Sequence, residues 1–364
     1  MFKALNVAGA RPNFMKLAPV HKAMIDSGRF QPFFLHTGQH YDGNMSQTFL
    51  DDLQIRRPDF ELSVGSGSHA QQTAAVIERI EPVLVELKPD VVIVFGDVNS
   101  TIAAAITAVK LGVKVAHVEA GLRSFDRSMP EEINRVLTDS ISDILFPPSQ
   151  DGVDNLLREG VPADKIFLVG NVMIDTLLGL MERAKMSTIR DSLELREKQY
   201  MVATLHRPSN VDNAASLERS IATLSLASKL AQVVLVAHPR TSVRIEEHGL
   251  SHMLADAGVR VIEPLGYIDF LSLVSGSAAV LTDSGGIQEE TTVLGIPCIT
   301  LRTTTERPIT ITQGTNHLVG TDPGVAIATL EEALRGGVVR RRPPLWDGHA
   351  AGRIVDCLIR TFRE

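Results

Sequence analysis

The chain has 364 residues, more than a single hydrophobic core usually holds, so we expect two domains. Hydrophobic residues make up 44% and charged residues 22% of the sequence, as in an ordinary globular protein. The net charge of -7 argues against a general nucleic-acid binder and against a protein of anionic membrane surfaces. Any anionic ligand must therefore be held by a local site.

Neither the cysteines nor the N-terminus indicates secretion. Cys298 and Cys357 lack metal-type spacing and fit a reducing compartment without a disulfide framework. The first residues lead directly into a predicted strand without a signal-peptide core, and no apolar run of about 20 residues occurs. We expect a cytoplasmic enzyme without a membrane or nucleic-acid partner.

Strand candidates alternate with helix candidates along the whole chain. The first half predicts strands at 4–8, 31–36, 91–95 and 114–118, with helices at 14–27 and 101–111. The second half predicts strands at 201–205, 233–237, 259–262, 278–281 and 296–301. This alternation predicts parallel sheets in two doubly wound, Rossmann-like α/β domains. We place them at residues 1–169 and 170–349.

One glycine motif is a false lead. Residues 65–70 match the dinucleotide pattern G-x-G-x-x-A, but residues 59–64 before them alternate polar and apolar side chains like a half-exposed strand. The dinucleotide fingerprint follows a buried strand that opens the fold. We therefore favour a loop that precedes a helix near Gln71 over a nicotinamide site.

A second glycine motif predicts a phosphate site. Residues 278–290 are typical of a buried strand, a glycine turn and the start of a helix. Gly285 and Gly286 let the backbone approach a ligand, and the helix N-terminus attracts anions. Asp283 and Ser284 are also ordinary helix caps, so a plain strand-to-helix connection is the alternative.

Three cations accompany this candidate phosphate site. Arg11 follows the first strand, Lys16 lies early in the next helix, and Arg307 lies in a loop after a strand. Arg11 and Lys16 can both reach a diphosphate, and two solvated charges are the alternative. A lysine near a helix N-terminus opposes the helix dipole, which favours an anion nearby.

Acid–base candidates lie at strand ends. Asp97 and Glu119 end neighbouring strands, so their carboxylates can approach each other and raise each other's pKa. Asp97 can instead cap the following helix. From the pattern alone, Glu131 in Ser128-Met129-Pro130-Glu131 is better explained by a capping box than by catalysis. His206 follows a strand and can titrate near neutrality, with an ordinary loop histidine as the alternative.

Together these segments resemble the non-hydrolysing UDP-N-acetylglucosamine 2-epimerase family nearly end to end. The matching motifs are Gly9-Ala10-Arg11-Pro12, Phe95-Gly96-Asp97, His117-Val118-Glu119-Ala120-Gly121-Leu122-Arg123, Pro130-Glu131-Glu132-Ile133-Asn134-Arg135, His206-Arg207, 282–290 and Thr305-Glu306-Arg307-Pro308. The resemblance implies a GT-B arrangement of two Rossmann-like domains with the active site in the interdomain cleft. It also implies a homodimer, a helix at about 350–364 packed on the first domain, and no metal or redox cofactor.

The resemblance further implies a two-step reaction. Anti elimination of UDP gives 2-acetamidoglucal, and UDP then adds back with the opposite configuration at C2, as a step towards surface polysaccharide precursors. The acidic catalytic group is Asp97, Glu119 and Glu131, and His206 eases the departure of UDP. The implied UDP-sugar contacts are Arg11, Lys16, Ser284, Gly285 and Gly286 at the diphosphate, Glu290 at the ribose, Phe270 at uracil, and Arg307.

The sequence also departs from the family pattern. Gln39-His40-Tyr41-Asp42 and the loop at residues 65–68 differ from the segments with which many members bind activating UDP-GlcNAc, so we expect weak or no activation and no sigmoidal rate curve. The same Gln-His-Tyr-Asp form occurs in relatives that act on 2,3-diacetamido uronic acid or N-acetylfucosamine derivatives of UDP. Those substrates are the first alternative, followed by a hydrolysing epimerase, a GT-B glycosyltransferase and a non-catalytic regulator.

Overall fold

The computed structural model describes residues 1–38, 50, 52–336 and 342–362, with only the backbone of Arg11. Residues 39–42, on which the expectation about activation partly rests, lie outside these ranges. The chain forms two compact units, Met1–Gly179 with Pro344–Glu364, and Leu180–Pro343. The division predicted from the sequence lies at 169/170. Within the described ranges, no helix is both long and apolar enough to cross a membrane.

The first unit is built on a parallel sheet with the strand order β3-β2-β1-β4-β5-β6. Its described strands are β1 (Phe2–Ala8), β2 (Phe30–His36), β3 (Phe60–Glu61), β4 (Val91–Phe95), β5 (Lys114–Val118) and β6 (Ile144–Phe146). Its helices, numbered along the described residues, are α1 (Arg11–Ser27), α2 (His69–Leu87), α3 (Asn99–Lys110), α4 (Pro130–Ile141), α5 (Gln150–Arg158) and α6 (Val172–Lys185), and the last of these contains the division between the units. Strand β4 is buried throughout, as expected for a parallel strand covered on both faces.

The second unit repeats this topology with the strand order β12-β11-β10-β7-β8-β9, again in parallel pairs. Its described strands are β7 (Tyr200–Thr204), β8 (Gln232–Val236), β9 (Arg260–Ile262), β10 (Ala279–Thr282), β11 (Cys298–Thr300) and β12 (Asn316–Leu318). Its helices are α7 (Ile189–Ser192), α8 (Pro208–Val211), α9 (Ala214–Ala227), α10 (Pro239–Glu247), α11 (Ser251–Asp256), α12 (Tyr267–Ser275), α13 (Gly285–Leu294), α14 (Ile309–Thr312) and α15 (Pro323–Gly336).

The C-terminal helix α16 (Ala350–Thr361) belongs to the first unit, where it packs on α1. The Asp175 carboxylate accepts hydrogen bonds from the backbone N–H groups of Ala350 (3.1 Å) and Ala351 (2.7 Å) at the start of this helix. The buried indole of Trp346 donates to the Pro148 carbonyl. The Asp175 carboxylate at the N-terminus of α16 and the Trp346 hydrogen bond thus hold the C-terminal segment on the rest of the first unit.

Both sheets confirm the predicted fold class of Rossmann-like, doubly wound α/β domains. Strands β4 and β5 have the predicted bounds, whereas α1 begins at Arg11, before the predicted residue 14. Near the false lead, β3 covers only Phe60–Glu61, and Ser68 caps α2 in a capping box with Gln71. The observed loop ahead of a helix agrees with the interpretation that was favoured there.

The strand order identifies where a ligand is expected in each unit. It reverses between β1 and β4 in the first sheet and between β7 and β10 in the second. Open α/β sheets bind ligands beyond the carboxyl ends of the strands at such a reversal. Candidate ligand-binding residues therefore follow β4 and β5 in the first unit and β7 and β10 in the second.

Candidate active site

Glu119 and Lys16 form a buried ion pair in the first unit. Lys16 Nζ donates to Glu119 Oε2, and both residues are only 6% exposed. Glu119 follows β5 with a φ of +74°, which side-chain-bearing residues rarely adopt. Such backbone strain is concentrated at functional positions. The alternative of a solvated lysine is wrong, and the anion that Lys16 meets in this structure is Glu119.

Gly96 makes room for this ion pair. It has a φ of +65°, and a Cβ atom added there would lie 2.8 Å from Lys16 Nζ and 3.1 Å from Glu119 Oε2. The turn after β4 therefore contacts the ion pair closely, and only glycine allows both this approach and this backbone conformation.

Asp97 follows Gly96 and is held by a guanidinium group from α4. Its Oδ2 accepts hydrogen bonds from Arg135 Nε (3.0 Å) and Nη2 (2.6 Å). Arg135 Nη1 donates at the same time to Glu132 Oε2 (2.7 Å). The side chain of Asp97 keeps 26% exposure, so a ligand can still reach it, whereas that of Arg135 is 3% exposed.

The buried Glu132 carboxylate holds the Arg135 guanidinium in place. This carboxylate accepts hydrogen bonds from the backbone N–H groups of Ser124 and Phe125, both at 2.9 Å, and from Arg135. Burial alone would raise the pKa of Glu132, but these hydrogen bonds and the Arg135 charge hold it below its usual range. Sequence patterns alone indicate no separate role for Glu132 or Arg135, because their partners lie in other segments.

Glu131 lies half-buried in the first turn of α4, which begins at Pro130. The N-cap residue is Met129, without a side-chain capping bond among the described residues. The Ser128 hydroxyl donates instead to Asp126 Oδ1 (2.6 Å). The capping-box interpretation is therefore wrong, and Glu131 stays a predicted acid–base residue together with Asp97 and Glu119.

His206 and Asp283 meet where the strand order of the second sheet reverses. The preceding residues Thr204 and Thr282 are partners in register between β7 and β10. His206 Nδ1 lies 2.8 Å from the fully buried Asp283 carboxylate, which also accepts the backbone N–H of Arg207 (2.9 Å). Burial alone would raise the pKa of Asp283, but the hydrogen bond and charge of His206 hold it below its usual range. This contact orients the ring and leaves Nε2 for a ligand.

The phosphate cradle comprises Ser284, Gly285 and Gly286. Ser284 is the N-cap residue of α13, and its side chain makes no capping bond within the described chain. Ser284 thus holds the N-cap position without a side-chain cap, and a plain strand-to-helix connection stays the alternative to a phosphate site. A Cβ atom on Gly285 would lie 2.5 Å from Glu306 Oε1 and 2.9 Å from Arg307 Nη1. The start of α13, whose first N–H groups have no partner within the helix, therefore lies against both the Glu306 carboxylate and the Arg307 guanidinium.

Arg307 is positioned at this cradle by two carboxylates. Its Nε lies 2.8 Å from Glu289 Oε1, and its Nη1 donates to Glu306 Oε1 (2.7 Å). Arg307 is 7% exposed, so its guanidinium is fixed rather than mobile. The side chain of Arg11, the other predicted arginine contact, lies outside the described part of the chain.

Glu290 lies further along α13 and is also buried. Its Oε1 accepts the Tyr267 hydroxyl (2.9 Å), and burial, with a further contribution from Glu289, raises its pKa to about 7. Phe270, on α12, is half-buried and packs against the core of the second unit, as does Leu265 just before that helix. The structure therefore gathers Ser284, Gly285, Gly286 and Arg307 at the start of α13, with Glu290 later in the same helix.

Comparison with known proteins identifies closely similar chains. A sequence model of the family described as UDP-N-acetylglucosamine 2-epimerase matches residues 22–359. The UDP-N-acetylglucosamine 2-epimerase of Methanococcus maripaludis is 40% identical over 363 residues, which cover 98% of each protein. The UDP-2,3-diacetamido-2,3-dideoxy-D-glucuronate 2-epimerase of Pseudomonas aeruginosa is 42% identical over 98% of this chain and 99% of that protein.

A solved structure agrees with these sequence relationships. The crystal structure of Methanocaldococcus jannaschii UDP-GlcNAc 2-epimerase in complex with UDP-GlcNAc and UDP has a TM-score of 0.91 and 41% identity, and the match covers 98% of this chain and 99% of that one.

Proposed function

The chain belongs to the UDP-N-acetylglucosamine 2-epimerase family, and on this premise we propose that it interconverts UDP-GlcNAc and UDP-ManNAc without hydrolysing them. It is a nucleotide-sugar 2-epimerase, and hence an isomerase. The family that the sequence motifs resemble is confirmed. The chemistry we propose rests above all on one observation, the buried Glu119–Lys16 ion pair at the end of β5.

The first step removes the hydrogen at C2 of the sugar. This hydrogen is only weakly acidic, so its removal needs a positioned base. We assign the removal of this hydrogen to an acidic group that consists of Glu119, Asp97 and Glu131. The Lys16 contact fixes the Glu119 carboxylate, and Arg135 fixes that of Asp97, so neither side chain has to be ordered when the substrate binds.

The same step expels UDP, and negative charge develops on the departing diphosphate. The start of α13 supplies backbone N–H groups at Gly285 and Gly286, and Arg307 adds a fixed positive charge beside them. His206, oriented by Asp283, can donate from Nε2 to the leaving group. We assign Glu290 to the ribose, Phe270 to uracil, and Arg11, Lys16 and Ser284 to further diphosphate contacts. In the second step UDP returns to C1 from the same cradle, and a residue of the acidic group delivers a proton to C2 on the face opposite the one from which it was removed.

The test is to incubate the purified protein with UDP-GlcNAc alone and to follow the sugar signals by NMR. The proposal predicts UDP-ManNAc as the product, in equilibrium with UDP-GlcNAc. Free N-acetylmannosamine with UDP would indicate a hydrolysing epimerase instead. An unchanged UDP-GlcNAc spectrum would contradict this substrate and favour a modified sugar or, where only an added acceptor permits turnover, a glycosyltransferase.

A second candidate substrate is a UDP-linked 2,3-diacetamido uronic acid. The observation that favours it is the 42% identity to the Pseudomonas aeruginosa enzyme named for that compound. An N-acetylfucosamine derivative is a further candidate of the same kind. Parallel incubations under identical conditions rank these compounds by kcat/KM, and UDP-GlcNAc is expected to rank first.

We also propose that the enzyme is a cytoplasmic homodimer that supplies precursors of surface polysaccharides. Support comes from the acidic net charge and from both cysteines, which are free and buried as in a protein of a reducing compartment. Light scattering on the purified protein tests the dimer, and a monomeric mass with full activity would contradict it.

A further inference from the structure

A buried charge network links the turns that carry Asp97 and Glu119. At its centre is His117 on β5, which is completely buried. Its Nε2 lies 2.8 Å from the Gly96 carbonyl, and its Nδ1 lies 2.6 Å from Asp139 Oδ1. Gly96 immediately precedes Asp97, so one ring nitrogen of His117 bonds directly to the turn after β4.

Asp139, on α4, extends the network to the turn after β5. Its Oδ2 accepts the backbone N–H of Gly121 at 3.0 Å and lies 2.7 Å from Arg123 Nη1. Gly121 lies two residues after Glu119 in the sequence. The carboxylate of Asp139 therefore holds the turn that carries Glu119, while His117 holds the turn that carries Asp97.

We propose that His117 is a positioning residue whose two ring nitrogens both donate hydrogen bonds, fixing Asp97 and Glu119 relative to each other through Gly96 and Asp139. This inference rests on the proposed function for its kinetic consequence. The His117 side chain is completely buried, and in the sequence it stands out only as part of the motif around Glu119.

The partners of the ring determine its protonation state. A carbonyl oxygen can only accept, so Nε2 must carry a proton. Asp139 is an anion, because its Oδ2 lies 2.7 Å from Arg123 Nη1 and accepts the Gly121 N–H at 3.0 Å. Nδ1 must therefore donate to Asp139, and a ring with both nitrogens protonated is a cation.

The surrounding charges balance this cation. The network contains two positive groups, His117 and Arg123, and two negative groups, Asp139 and Glu159. Arg123 donates from Nε (2.8 Å) and Nη2 (2.6 Å) to the two oxygens of Glu159, which is the only member near the surface, with a side chain 35% exposed. Removing one member leaves the opposite charge buried without its partner.

The position of Gly96 explains why a small displacement matters. Its Cα atom lies directly against the ion pair of Lys16 and Glu119, because an added Cβ atom would approach them to 2.8 Å and 3.1 Å. A shift of the Gly96 carbonyl is therefore expected to displace Asp97 and, at the same time, to change the close contact between Gly96 and Glu119. A misplacement of about 1 Å at reacting groups can lower a rate on the order of 100-fold.

The first test counts the ring protons. Nitrogen-15 labelling of the histidines and a long-range proton–nitrogen NMR correlation on the intact enzyme report both ring nitrogens, and His117→Gln assigns the signal. We expect both nitrogens of His117 to be protonated in the folded enzyme, because each faces a hydrogen-bond acceptor. A ring with one unprotonated nitrogen overturns the proposal, whatever the enzyme's activity.

The second test separates positioning from general stability. His117→Gln should lower kcat for UDP-GlcNAc epimerisation by roughly 10-fold to 100-fold and leave the dissociation constant for UDP unchanged. His21→Gln is the matched control, because His21 is also buried in the first unit (4% exposed) but bonds to Asn6 and not to a catalytic turn. It should lower stability and retain kcat. An unchanged kcat in His117→Gln overturns the proposal.

A third variant covers the case in which His117→Gln does not fold. Asp139→Asn keeps the shape of the side chain, and its amide can donate to Nδ1 while its carbonyl accepts Gly121 N–H. His117 should then lose its Nδ1 proton but keep the Gly96 bond; a ring that stays doubly protonated overturns the proposal. If the wild-type enzyme itself fails to epimerise UDP-GlcNAc, the proposed function falls, whereas the ring-proton measurements still decide the role of His117 as an imidazolium.

Discussion

Replacing Glu290 by glutamine should stabilise the second unit at alkaline pH while weakening UDP binding. The pKa of Glu290 is raised from 4.5 to about 7, chiefly by burial. A tenfold change in a proton-binding constant corresponds to about 1.4 kcal/mol, so ionising this carboxyl costs the folded state roughly 3 kcal/mol. Because the folded pKa exceeds the unfolded one, the stability contributed by protonated Glu290 is fully present below about pH 4.5. This contribution is lost as the pH rises through about 7.

Glutamine does not ionise and can still accept the Tyr267 hydroxyl. The variant should therefore match the wild type at about pH 4 and exceed its free energy of unfolding by roughly 3 kcal/mol at about pH 8. Urea unfolding followed by circular dichroism measures this difference. If Glu290 binds the ribose as a carboxylate, the dissociation constant for UDP should rise about tenfold.

The matched control is Glu332→Gln, an exposed glutamate on α15 of the same unit. A surface substitution of this kind should change the free energy of unfolding by no more than about 0.5 kcal/mol at either pH. Equal stability of wild type and Glu290→Gln from acid to alkaline pH would refute the argument that burial makes this carboxylate costly. Unchanged UDP binding would remove Glu290 from the proposed nucleotide site.

Three other substitutions test the remaining parts of the proposed site. Glu119→Gln should abolish exchange of the C2 hydrogen with solvent and leave UDP binding intact by calorimetry; undiminished exchange would exclude Glu119 as part of the base. Gly285→Ala should weaken UDP binding, because its Cβ atom would lie 2.5 Å from Glu306 Oε1, and calorimetry with normal affinity would contradict the cradle. Asp283→Asn should lower kcat by about 100-fold or more with little change in UDP affinity, because His206 loses the carboxylate that orients it; a wild-type kcat would show that this contact is dispensable.

The architecture could be predicted from the sequence because it depends on local patterns. Continuous apolar runs such as Val91–Phe95 predict buried parallel strands, and their alternation with helices of similar length predicts the doubly wound class. The glycine turn between β10 and α13 was also predictable, since a buried strand, paired glycines and a helix follow one another in the sequence, and its role as a phosphate site stays a prediction.

The contacts within the site were less predictable, because they join distant segments. Lys16 and Glu119 are 103 positions apart, and Asp97 and Arg135 are 38 apart. Only the strand order and register bring such residues together. Once β7 and β10 are known to be neighbours, the contact between His206 and Asp283 follows from the pairing of Thr204 with Thr282, a signal that the sequence contains only in combination with the topology.

The capping box shows how a local pattern can fail. Ser128 and Glu131 have the right spacing, but Asp126 is closer in sequence and accepts the Ser128 hydroxyl. Helix α4 consequently begins at Pro130, one residue after the N-cap Met129. The hydrogen bond between the Ser128 and Asp126 side chains forms in place of the cap, as is common for serine and aspartate in turns.

Solvent labelling at C2 tests the central claim most directly. The enzyme is incubated with unlabelled UDP-GlcNAc in deuterated water, and the UDP-ManNAc product is isolated and examined at C2 by NMR. Elimination and re-addition through a carboxylate base predict deuterium at C2 of the product, introduced as the configuration changes. Product that forms at the full rate and retains protium at C2 would contradict the mechanism proposed for Glu119, Asp97 and Glu131.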